Sequence, residues 1–214
     1  MPPRLSSLLE SLSSLALDDL DGLWSLDVSD LEAALFGLFP NVLETWAEMS
    51  ATAAADWYDE LREAEEVPGT FSAIVEPLGD LGGYALAGWA AQPLKLPEPE
   101  VFPVKSRLED GFQKRLANTA NLTVTGSAKA DPNARGYMRR TRPGACRFCV
   151  MVASRGAVYT ESSSRFACHG HCFCEAVPAW GGKPIPVEPY SASDRPRTPA
   201  ERVRVQQWIK ENLD

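Results

Sequence analysis

CRFCVMVASRGAVYTESSSRFACHGHCFC, residues 146–174, holds all five cysteines and both histidines of the 214-residue chain. The spacing has a mechanical meaning. A Cys-x-x-Cys turn lets Cys146 and Cys149 present two thiolates to one side, and His169-x-x-Cys172 closes from the other. That is the geometry of a tetrahedral zinc site. Cys174 competes for the second pair, because residues two apart on an extended strand over 173–177 share a face with Cys172. His171, next to Cys172, points away in extended chain, and Cys168 is the weakest donor. Cys146, Cys149, His169, Cys172 and Cys174 are therefore the candidate ligands of one structural Zn2+. With four protein ligands no open position remains for water, so the metal staples a small domain. A catalytic metal and metal-free cysteine pairs are the alternatives.

The composition is that of a folded soluble chain, 44% hydrophobic and 23% charged. No apolar run approaches the length of a membrane span, and the leucine- and serine-rich start lacks the pattern of a signal peptide. A cytosolic setting is expected, and there clustered cysteines favour metal over disulfides. The net charge of −8 conceals a division. Residues 1–100 carry 3 Lys/Arg against 19 Asp/Glu, a balance of −16, and residues 101–214 carry 18 against 10, a balance of +8. Two regions with different partners are one consequence, and two mutually attracting surfaces are the other.

Working outward, leucines at 5, 8, 9, 12 and 15 predict a helical N-terminal arm over residues 1–27. An acidic helical region follows over 28–91. Its first helix is expected to start at the capping box Ser29-Asp30-Leu31-Glu32, and a longer one to run from Pro40 to about residue 66. Shorter helices are expected within 71–91. Four prolines in residues 92–103 predict a linker. Residues 104–180 form the domain bearing the cysteines and histidines, with a helix over 104–121 and short strands at 136–140 and 175–178. A proline-rich linker and a C-terminal helix occupy 181–214. The fold class is α+β, predominantly α. Arg135, Arg139, Arg140, Arg142 and Arg147 form a basic run suited to the phosphates of DNA, with weak, salt-sensitive, non-specific binding by residues 101–214 as the expectation.

Hydrolytic nucleophiles need a base, and both histidines already serve the metal cluster. No G-x-S-x-G, HExxH or phosphate-loop motif occurs. An enzyme is not expected.

The run RLANTANLTVTGSAKADPNARGYMRRTRPGACRFCVMVASRGAVY, residues 115–159, with HGHCFCEAVP, residues 169–178, resembles the MuF-like minor capsid (head morphogenesis) proteins of tailed bacteriophages, in their actinobacteriophage branch. The shared pattern is C-x-x-C at Cys146 and Cys149, a short helix ending at Arg155-Gly156, then His169, Cys172 and Cys174 and a strand with Pro178. AAADWYDELRE, residues 53–63, is similar to the helix preceding that domain. Cys168 departs from the pattern. The resemblance covers about residues 40–180. It implies a virion protein in the capsid interior, made in the bacterial cytoplasm and associated with the portal protein and major capsid protein. It also allows self-association around the portal and contact with packaged dsDNA, with no membrane partner. Relatives that are capsid maturation proteases make that activity the alternative, beside a zinc-bearing nucleic-acid-binding adaptor.

Overall fold

The structure, a computed structural model, describes residues 2–75, 77–142, 144, 145, 147–154, 159, 173–181, 198–200, 203, 204 and 207. The chain is predominantly helical with one small sheet. Helices α1 (Leu5–Asp18), α2 (Val28–Gly37), α3 (Phe39–Ala64), α4 (Gly83–Ala90) and α5 (Val101–Ala130) build the body. Strand β1 (Tyr137–Arg140), helix α6 (Arg147–Ser154) and strand β2 (Glu175–Pro178) follow.

Two long helices, α3 and α5, pack lengthwise and carry the core. Along α3, Phe39, Leu43, Trp46 and Ala47 join one apolar cluster, and Ala54, Trp57, Tyr58 and Leu61 join a second. Along α5, Val104, Leu108, Phe112 and Leu116 join the first, and Ala117, Ala120, Val124 and Ala128 the second. Each fully buried leucine or phenylalanine contributes roughly 1.5–3 kcal/mol. In the second half of the seam α5 supplies small residues, while α3 supplies Ala54 with the large Trp57, Tyr58 and Leu61. The charge boundary near residue 100 is therefore a loop just before α5, and α3 on its acidic side shares both clusters with α5 on its basic side.

Several helix limits differ from expectation for physical reasons. The cap of α2 is Asp27, whose side chain accepts from the Asp30 N–H at 3.1 Å, not the Ser29 capping box. Helix α5 runs to residue 130 and not 121. Threonines and Gly126 in NLTVTGSAKA lower its propensity, but Thr119, Ala120, Thr123, Val124, Ser127 and Ala128 continue the buried stripe, and packing overrides the weak local preference. The described residues of 71–82 are not helical; Arg115 holds the end of that segment by donating to the carbonyls of Leu81 (2.7 Å) and Gly82 (3.4 Å). The stretch 92–103, read as a linker, includes a 3-10 turn at Gln92–Lys95 with Pro93 and Leu94 buried, and then the first turn of α5. The long linker 182–197 lies outside the described residues, as does most of the C-terminal helix, of which Pro199, Ala200, Val203, Arg204 and Gln207 are helical.

The sheet is antiparallel, with Tyr137 opposite Pro178 and Arg140 opposite Glu175. On its other side β1 bridges Tyr159 through two backbone hydrogen bonds, 2.9 and 2.7 Å.

Candidate functional site

Two cysteines of the stretch lie among the described residues. Cys149 lies on α6, and Cys174 stands one residue before β2. Both are buried, at 1% and 0% exposure, and both belong to the second apolar cluster. Cys146, Cys168, His169, His171 and Cys172 lie outside the described residues. Among the described residues no three His, Cys, Asp or Glu side chains gather as a metal cluster. Strand β2 runs from Glu175 to Pro178, as expected for 175–178, so Cys174, which an extended stretch over 173–177 would include, stands one residue before it.

Three buried polar side chains fix the sheet on the helices. Asn121 in α5 does so for β2. Its Nδ2 donates to the Cys174 carbonyl at 3.2 Å and to Ala117 at 2.7 Å, while its Oδ1 accepts from the Ala176 N–H at 2.6 Å. One amide thus satisfies the side of β2 that β1 does not, in the place of a third strand. Glu175 is the second. It is wholly buried, pairs with Arg140, and accepts from the Ser6 N–H at 2.8 Å. Helix α1 has no side-chain cap of its own, so this distant carboxylate takes one of its orphan amides, at the end where the helix dipole favours negative charge.

Asp131, at the end of α5, is the third. Its Oδ2 accepts from the Tyr58 hydroxyl (3.1 Å), Arg62 Nε (3.1 Å) and Trp180 Nε1 (2.9 Å), and its Oδ1 from the Asn133 N–H (2.9 Å). Arg62 then donates to the carbonyls of Gly69 and Pro68 at 2.9 and 2.8 Å. Burial alone would raise the Asp131 carboxyl. The Asn133 amide, Trp180, Arg62 and Tyr58 outweigh it and hold the group below the usual carboxylate range. Burial, then the charge of Asp131, keep the Tyr58 hydroxyl protonated well above its ordinary range.

The basic run divides. Arg140 is committed to Glu175, and Arg142 pairs with Glu10 while lying 5.4 Å from the Phe173 ring centroid. Arg135 and Arg147 are exposed, and Arg139 is half-buried. A pocket of about 350 Å3 opens beside β1, lined by Met138, Arg139, Arg140, Thr141, Ala153, Tyr159 and Val177. Sequence reasoning found the arginines but missed Asn121, Asp131 and Glu175. A signal existed for two of them: Asn121 interrupts the apolar stripe Ala117-Ala120-Val124, and Glu175 opens an otherwise apolar strand.

No curated protein and no solved structure matches the chain. The family model described as VG15 protein matches residues 3–197, from the arm through the cysteine stretch and into the following segment. That span includes both apolar clusters, the sheet and all three polar fixings, so the match covers nearly the whole assembly described above. The chain belongs to the VG15 protein family, a phage family.

Proposed function

We propose that this chain is a minor capsid (head morphogenesis) protein of a tailed phage, acting inside the head beside the portal vertex, with a structural and non-catalytic role in head assembly and in DNA packaging or ejection. The observation that carries the reading is the combination of the phage family match over residues 3–197 with the C-x-x-C and H-x-x-C-x-C spacing. The portal and major capsid proteins are the partners proposed for the helical body. Exposed Arg135 and Arg147 are proposed to touch packaged duplex DNA through phosphates.

Structural Zn2+ belongs to the same reading. The thiols of Cys149 and Cys174 fit it: both are closed to water, both lie in one apolar cluster, and a soft thiolate donor suits this ion. Cys146, His169 and Cys172 would supply the remaining candidates. When bound, the ion supplies cross-linking alone, and Asn121, Glu175 and Asp131 orient the chain that leaves the site.

The test is the particle. In purified heads the protein is expected in low copy number, with density at the portal vertex in an asymmetric reconstruction; its absence from the particle sinks the reading. Elemental analysis of purified protein is expected to show zinc near one equivalent per chain. Specific cleavage of coat or scaffold by the purified protein would overturn the non-catalytic role.

A further inference from the structure

We infer that the C-terminal helix of this chain, residues 199–213, folds back and covers the outward face of α4, which is apolar throughout. The virion role proposed above is not a premise of this inference.

Helix α4, GYALAGWA, contains no charged residue. Gly83, Leu86, Ala87 and Ala90 are buried against the body. Tyr84, Ala85 and Trp89 are exposed, Tyr84 at 67% and Trp89 at 48%. Gly88 lies among them, and the ring of Phe36 from α2 reaches it: a Cβ on Gly88 would stand 3.8 Å from Phe36 Cζ. Phe36 is itself 37% exposed. Tyr84, Ala85, Gly88 and Trp89 follow the three- and four-residue steps of one helix face, so these four and Phe36 form one continuous surface. Charged groups at its border are already engaged. Arg107 lies 5.1 Å from the Trp89 ring centroid and donates to the Trp89 carbonyl at 3.3 Å. Glu32, one turn before Phe36, pairs with Lys95 at 3.6 Å. A surface helix ordinarily turns polar side chains to water; one that is apolar all round belongs under a cover.

The same chain carries a fitting occupant. Val205, Trp208, Ile209 and Leu213 recur at helical spacing. Ala200, Val203 and Gln207 are helical and exposed, and by spacing they lie on the side away from that stripe. A helix of about 15 residues is marginal in water by itself, so the stripe needs a docking face. Charge favours the acidic body. Residues 28–91 carry 12 Asp/Glu against 1 Lys/Arg, and residues 195–210 carry 5 Lys/Arg against 1 Asp/Glu.

The tether is long enough. Trp180, just before it, packs on Tyr58 of α3 with ring centroids 5.7 Å apart. Pro40, at the other end of α3, lies against α4, where a Cβ on Gly83 would be 3.2 Å from it. Tyr58 and Pro40 are 18 residues apart on one helix, about 27 Å. The 16 residues 182–197 reach at most about 55 Å.

Hydrogen exchange of the full-length protein, with its mass followed by sedimentation over a range of concentrations, tests this. Amides of residues 203–213 are expected to exchange at least about tenfold more slowly than in an undocked chain, in the monomer. Ala85→Glu puts a carboxylate in the middle of the α4 face, and Trp208→Ala with Ile209→Ala removes the stripe; each is expected to abolish that protection. Met49→Glu introduces the same charge at an exposed position on α3 and should leave protection intact. Unchanged exchange in α3 and α5 certifies the fold of each variant; where Ala85→Glu disturbs them, Tyr84→Ser is read instead. A wild-type segment that exchanges freely, protection indifferent to the α4 variants, or equal loss in Met49→Glu overturns the inference. So does protection that appears only as the protein associates, which would put the helix of a second copy on α4. All of these outcomes are read on the free protein, so the minor-capsid reading stands or falls separately.

Discussion

Glu175 accepts a hydrogen bond from the backbone N–H of Ser6 at 2.8 Å, across 169 residues of chain. The same carboxylate pairs with Arg140. The N-terminal arm is thereby anchored to the strand that emerges from the cysteine stretch. Glu175→Ala leaves the buried Ser6 amide without its acceptor and the partly exposed Arg140 guanidinium without its pair. A loss of about 1–3 kcal/mol is expected by chemical denaturation. Hydrogen exchange gives the sharper check: the first turns of α1 should lose protection before α3 does. Equal loss in both helices would mean that Glu175 is not the anchor.

Asp131→Asn removes the charge on which Tyr58, Arg62 and Trp180 converge. Breaking one side of a buried ion pair costs about 3–5 kcal/mol, and the denaturation midpoint should move accordingly. The pH dependence has a definite sign. The native carboxyl is held below its unfolded value, so its stabilisation is complete above that value, about 3.9, and is lost as pH falls through the lower native one. The acid limb of the stability curve should therefore flatten in the Asn variant. An unchanged limb would assign the acid sensitivity to other groups.

Two glycines of one helix should respond with opposite signs. A Cβ on Gly111 would lie 2.4 Å from Leu86 Cδ1 and 2.7 Å from its Cδ2, and Leu86 is itself buried. Gly111→Ala should destabilise by about 1–3 kcal/mol through overpacking. Gly126 has nothing within 4 Å, so Gly126→Ala should stabilise by up to about 1 kcal/mol. Thermal melts of the two variants side by side decide it. A stabilised Gly111 variant would show that Leu86 can swing aside.

Much of the helical body was legible because burial imposes a period. The expected 40–66 and the observed Phe39–Ala64 agree to one residue at the start and two at the end, since Trp46, Trp57 and Leu61 mark one face. The end of α5 was not legible. Asn121 looks like a loop residue in NLTVTG, and only the backbone of β2 explains an amide at a core position. Strand β1 showed as YMRR between Gly136 and the first cysteine, yet the partners of its arginines did not. A run of arginines announces charge; Glu10 and Glu175, far away in sequence, decide how much of it faces solvent.

That division gives the proposed DNA contact a test. Arg135→Ala with Arg147→Ala should weaken binding to duplex DNA and reduce the salt slope by roughly 0.9 for each phosphate no longer neutralised. Arg142→Ala should alter binding less, because Arg142 is only partly exposed and pairs with Glu10. The full chain is the object to titrate, because α5 shares its core with α3 and a fragment starting at residue 101 would expose that face. A larger loss for Arg142→Ala than for the Arg135 and Arg147 pair would reverse the assignment.

Asn121 has one more consequence. A strand with unmatched amides is a template on which a second chain can grow, and crowded proteins aggregate by that route. By spending its amide on Cys174 and Ala176, Asn121 terminates the sheet with a group that cannot propagate it. Many copies can then be concentrated in a small volume without strand exchange through β2.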